Sequence, residues 1–182
     1  MKEIVRPANY LASMPGHGSC VVETGGVKLG VLNLMGNLYL DPGRHMFTLA
    51  EAEIEKLERQ GCDHILVDVH AEATSEKVAM GWEYDGRVTA VVGTHTHVPT
   101  ADARVLPKGT AYITDVGMCG PRDSVIGVQK ELAIRSMRTK LPVRFESATG
   151  DPWLCAVLVR TEEGRKRRAA SITPIQVSPR VE

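Results

Sequence analysis

Two short apolar runs constrain the fold of this chain more than any other feature of its sequence. His64-Ile65-Leu66-Val67-Asp68-Val69 and Val88-Thr89-Ala90-Val91-Val92 have the length and apolar content of strands buried on both faces. Residues from about 75 to 84, between them, have helical character. Strand, helix and strand over about 30 residues make a βαβ crossover, which implies parallel pairing and an α/β fold. Upstream, Cys20-Val21-Val22-Glu23 and residues 27 to 34 read as two strands around Gly25-Gly26. Two glycines at that spacing suit a two-residue hairpin turn, which needs positive φ.

A helix is expected from about residue 49 to residue 60, with Thr48 and Glu51 in a capping-box pattern and Gly61 at its end. Ala50, Ile54 and Leu57 fall on one face of it. Further strands are expected at 110–114, 143–146, 154–160 and 170–173, and a helix at 129–140. The chain has no internal repeat and no linker long enough to divide it, so residues 1–182 read as one domain.

Composition removes several functional classes. Lys+Arg 22 balances Asp+Glu 22, so no global charge favours a polyanion or an anionic membrane. Aromatic residues at 4% weaken any base-stacking reading for single-stranded nucleic acid. Cys20, Cys62, Cys119 and Cys155 form no C-x-x-C pair, which suits free thiols in a reducing cytosol. No stretch reaches the roughly 18 apolar residues of a membrane span, and the expectation is a soluble cytoplasmic protein.

The chemistry collects where the two apolar strands end. The first runs into Asp68-Val69-His70-Ala71-Glu72 and the second into Gly93-Thr94-His95-Thr96-His97. In open α/β sheets, ligands bind at the carboxyl ends of strands. His95 and His97 are two apart, so in extended backbone both imidazoles would point to one side, and Gly93 would free the chain to turn. Together, His70, His95 and His97 are the candidate metal ligands. Histidines without nearby thiolates suit Zn, Mn or Fe. Three of them could hold one catalytic ion, while a two-metal site would need further oxygen ligands. Asp68, Glu72 and Asp102 are nearby in sequence, as ligands or as partners that orient an imidazole. His17, His45 and His64 read as structural or solvent-exposed. A third polar cluster, residues 115–124, suits either a site loop or a plain Gly/Pro turn. The basic run at 165–168 reads as the solvated end of a hairpin.

Several segments resemble the YmdB-like metallophosphoesterases. They are Arg6 to Tyr10, Asn33 to Gly36, Asp68 to Lys77 (DVHAEATSEK), Gly93 to Asp102 (GTHTHVPTAD), Tyr112 to Ser124 and Leu141 to Phe145. The resemblance runs through nearly the whole chain. It implies a calcineurin-type domain with a four-layer αββα sandwich and a dinuclear Fe or Mn centre. His70 and His95 would ligate one ion and His97 the other. The implied activity is hydrolysis of 2′,3′-cyclic nucleotides or related phosphoesters by attack of a metal-bound hydroxide. Family members also carry an N-terminal strand ending in Gly-Asp, a Glu-Asn pair and a Gly-Asn-His segment, whose histidine is the acid for the leaving group. These three features do not occur in this sequence. The expectation is therefore an N-terminally incomplete metallophosphoesterase domain without the family's acid histidine. Its alternative is a catalytically inactive metal-binding or assembly module. Unpaired sheet edges would also favour a homo-oligomer.

Overall fold

The computed structural model describes residues 3–178. A hairpin opens the main sheet: β1 (Ser19–Thr24) runs antiparallel to β2 (Val27–Met35). Thr24 faces Val27 across a two-residue turn whose glycines, Gly25 and Gly26, have φ of 57° and 76°. A residue with a Cβ would be strained at both positions, and the glycine pair sets the hairpin register.

From β2 the chain climbs through α1 (Met46–Arg59) to β3 (His64–His70), then through α2 (Thr74–Glu83) to β4 (Ala90–Thr94). The strands β2, β3 and β4 pair in parallel. Two right-handed crossovers made in the same direction put both helices on one face of the sheet. On that face Ile65, Val67 and Val69 of β3 pack with Ile54 and Leu57 of α1 and with Met80 of α2. The expected capping box is not formed. The helix α1 begins three residues earlier than that pattern implies; His45 is its N-cap without a side-chain cap bond, and Asn37 Oδ1 accepts from Met46 N at 2.8 Å instead. Glu51 instead pairs with Arg87 at 2.8 Å, a tertiary contact that competes for the same carboxylate.

The main sheet is completed by β6 (Ala111–Ile113), parallel to β4, and by β5 (Arg104–Val105) at its edge, in the order β1-β2-β3-β4-β6-β5. A second sheet holds β7 (Gly120–Pro121), β8 (Pro152–Thr161) and β9 (Ala169–Val177), all antiparallel. Its Val159, Ala169 and Ile172 pack on Leu66, Ala90, Val105 and Ala111 of the main sheet. Helices, large sheet and small sheet thus lie in succession. Between the sheets a cavity of about 400 Å³ opens among Val27, Leu29, Leu66, Val92, Val157 and Val159.

The third helix, α3 (Lys130–Thr139), buries only Ala133 and leaves Ile134 and Met137 exposed. Residues 143–146 do not form the expected strand. They lack regular structure, and the one pairing in that region is a single bridge between Val128 and Ser147. Alternation of apolar residues over so short a stretch makes a strand only where a neighbour offers a ladder. All four cysteines are free. Among the described residues, no helix is long and apolar enough to cross a membrane.

Candidate functional site

Parallel pairing of β3 with β4 sets His70 opposite Thr94, so the polar ends of the two strands meet. His70 Nδ1 lies 3.1 Å from Thr94 Oγ1. The Thr94 hydroxyl donates to Asp68 Oδ1 at 2.8 Å, and Asn33 Nδ2 donates to Asp68 Oδ2 at 2.8 Å. Since the single Thr94 proton goes to Asp68, its oxygen accepts from His70 Nδ1–H, which leaves the lone pair on His70 Nε2. Burial pushes the Asp68 carboxyl above its usual range, against the pull of those two hydrogen bonds. Burial, and then the neighbouring His95, hold His70 below the ordinary imidazole range, which favours its neutral, ligating form.

His95 follows β4 directly. Its ring stands edge-on to that of His70, with centroids 4.8 Å apart, and its Nδ1 is 3.1 Å from His70 Nε2. On the far side, His95 Nε2 lies 3.2 Å from Glu72 Oε2. A neutral His95 can donate to only one of these two acceptors. A metal ion between the inner nitrogens would let His95 Nε2–H serve Glu72 while both inner lone pairs face the ion. Two nitrogens at metal bonds of roughly 2.1 Å and a right angle are about 3.0 Å apart, which is the spacing found here. Carboxylate-to-imidazole and hydroxyl-to-imidazole contacts on the outer nitrogens are the usual support of metal-binding histidines. By geometry and donor chemistry, the pair fits one divalent ion.

His97 does not join them. The expectation of imidazoles on one side of an extended strand does not hold, because β4 ends at Thr94 and both residues have positive φ, 103° at His95 and 66° at His97. His97 turns toward the loop before α3, where its Nδ1–H donates to the Ile126 carbonyl at 3.0 Å. That bond leaves Nε2 as its free nitrogen. Among the described residues, no group of three or more His, Cys, Asp or Glu side chains is placed to hold a metal ion. Asp102 lies apart as well, capping Thr100 and Thr114 at the end of β6. Gly93 makes no turn: it lies within β4, where a Cβ would fall on the Thr114 carbonyl oxygen.

The centre of the histidine loop is clamped from below. Asp115 Oδ2 accepts from Thr96 N at 3.1 Å and from Thr96 Oγ1 at 2.7 Å. The same oxygen meets Lys77 Nζ at 2.9 Å, and both side chains of this ion pair are fully buried. Burial pushes the Asp115 carboxyl up, but the bonds from Lys77, Thr96 and Gly117 outweigh it and hold the group below its usual range. Lys77 and Thr96 were not singled out from the sequence. A signal was available for the lysine, since residues 77, 80, 81 and 84 form the buried stripe of α2. His45, as N-cap of α1, and His64, bonded to Thr89, hold structural places.

Parallel strands, a helix-covered sheet and two convergent imidazoles where the strands end define an α/β protein whose polar strand ends meet in one place. The chain belongs to the YmdB-like family, whose model, described as YmdB-like protein, matches residues 1–175. A Bacillus subtilis (strain 168) relative named 2′,3′-cyclic-nucleotide 2′-phosphodiesterase is 48% identical over 164 residues, 90% of this chain and 62% of that protein. The crystal structure of a protein from Thermus thermophilus is 42% identical, with a TM-score of 0.89 over 96% of this chain and 67% of that one. A second crystal structure, of a novel phosphatase from Mycoplasma pneumoniae, is 37% identical, with a TM-score of 0.85, and covers 98% of this chain and 64% of that one. The chain thus spans just under two thirds of the B. subtilis protein's length.

Proposed function

We propose that this chain carries the three-histidine part of a divalent-metal phosphodiesterase site that acts on 2′,3′-cyclic nucleotides or related small phosphoesters. The observation that carries the reading is the 3.1 Å approach of His70 Nε2 to His95 Nδ1, with both outer nitrogens already engaged. His70 and His95 would hold one ion, and His97 Nε2 would hold a second, Fe or Mn. When bound, such ions supply an activated water and offset the charge that develops on the phosphoryl oxygens.

The residues of this chain then have distinct tasks. Glu72 keeps the His95 proton on Nε2, Thr94 keeps the His70 proton on Nδ1, and the Ile126 carbonyl keeps the His97 proton on Nδ1. In each ring that choice leaves the opposite nitrogen for a ligand. Asp68 fixes the Thr94 hydroxyl, and Asp115 fixes Thr96 between the two loop histidines. The relatives are a third or more longer, and we assign the remaining ligands, the acid that protonates the leaving group and the fourth layer of an αββα sandwich to that additional length.

Mn²⁺ binding by equilibrium dialysis, followed by an assay of 2′,3′-cyclic AMP hydrolysis, tests the reading. The chain should take up Mn²⁺, and His95→Ala should weaken that binding by roughly 100-fold or more. Equal Mn²⁺ affinity in the parent and in His95→Ala refutes the site. Mn²⁺ binding without hydrolysis would make this chain a metal-binding module whose catalysis needs the remainder of the site.

A further inference from the structure

Beside His97 lies a cavity of about 360 Å³ that the metal-binding reading does not use. That volume is in the range of pre-formed small-molecule sites, which run from roughly 300 to 1,000 Å³. Its walls come from the loop after β4, the loop after β6, the segment before α3 and the start of β8. His97, Pro99, Met118, Arg122, Ile126 and Trp153 are among the lining residues, and no carboxylate among the described residues lines it. We infer that this cavity holds the nucleoside part of the phosphoester, with the phosphate at the histidines; the inference rests on the function proposed above.

Two observations converge on that occupant. First, the His97 ring is tied to the Ile126 carbonyl, so the cavity wall and a candidate metal ligand are one continuous surface. A group held by the cavity is therefore next to a phosphate held at the site. Second, the cation of Arg122 is fixed over the Trp153 indole, 5.4 Å from the ring centroid, and its backbone N–H is bonded to the Asp151 carbonyl. A cation on an aromatic face, in a lining without carboxylates, suits an anionic ligand that carries a flat ring.

The indole itself reports on the proposal. The protein has two tryptophans, and Trp82→Phe leaves Trp153 as the sole indole, excited selectively at wavelengths past the tyrosines. In that variant, with Mn²⁺ at a fixed concentration, 2′,3′-cyclic AMP should change Trp153 emission saturably. It should bind at least about tenfold more tightly than ribose 5-phosphate, which has no base. Arg122→Ala should weaken the cyclic nucleotide roughly tenfold. Ile126→Asp, at a side chain 53% exposed and so tolerant of change, should weaken it by a similar factor by placing a carboxylate in the lining. Equal affinity for the two phosphoesters would refute the inference. So would cyclic-AMP binding seen by dialysis with unchanged Trp153 emission and parental affinity in both variants. In either case the phosphoester reading survives. Dialysis that detects no phosphoester binding at all removes both.

Discussion

Lys77→Met isolates the buried clamp under the histidine loop. Methionine matches lysine in length and keeps its contacts in the stem, so the change removes the ammonium and little else. Lys77 is 0% exposed and Asp115 1%, with 2.9 Å between Nζ and Oδ2. Breaking such a pair costs about 3–5 kcal/mol, because the remaining charge stays buried without its partner. Asp115 keeps three other donors, Thr96 N, Thr96 Oγ1 and Gly117 N. The expected loss is therefore at the low end, about 3 kcal/mol, which lowers Tm by roughly 6–12 °C in a chain of this size. Asp115→Asn should cost at least as much, since it strands a buried ammonium. The double variant should lose clearly less than the sum of the two, a coupling of about 1 kcal/mol or more. Urea titration followed by circular dichroism measures all three. A loss below about 1 kcal/mol for Lys77→Met, or additive single effects, would show that the pair does not hold the loop.

Glu72→Gln removes the carboxylate from His95 at a residue 53% exposed, so it should weaken Mn²⁺ binding about 10- to 100-fold while leaving the urea midpoint unchanged. Mn²⁺ at His70 and His95 needs both inner nitrogens free of protons, so its affinity should rise with pH; titration calorimetry in buffers of different ionisation enthalpy reads the proton count. For acid stability, burial raises the carboxyls of Asp102 and Asp115, but hydrogen bonds outweigh it and depress both. The stability they contribute is full above the unfolded carboxyl value, about 3.9, and is lost as pH falls through their lower folded values; Asp102→Asn should flatten that acid limb of the urea midpoint. Gly93→Ala has no room for its methyl against the Thr114 carbonyl and should cost more than about 3 kcal/mol, read as loss of the cooperative unfolding transition at moderate urea.

The elements that could be read from the sequence are those whose signal is local. A buried parallel strand is a continuous apolar run, which marks β3 and its crossover to β4 without reference to any partner. The Gly25-Gly26 turn and the helix stop at Gly61 are single-residue conformational requirements. Where a local signal had a tertiary competitor, it failed. Glu51 left its capping box for Arg87, and residues 143–146 found no ladder. Asp68 and Glu72 could be named beforehand as partners of an imidazole. Which imidazole each serves depends on how two strands align.

By itself, the sequence determined the α/β class, the order of elements from β1 to β4, and the placement of three histidines at or just past the ends of two parallel strands, because periodicity and strand-end position are properties of short stretches of chain. The tertiary structure alone decided that His70 and His95 meet while His97 turns away. Their meeting follows from the pairing of His70 with Thr94 across β3 and β4, and the turn from positive φ at His95 and His97. It also decided that a lysine and an aspartate, 38 residues apart, share the buried space beneath them. Register and burial are relations between distant segments, and no local pattern encodes the distance between two atoms that meet only when the sheet closes.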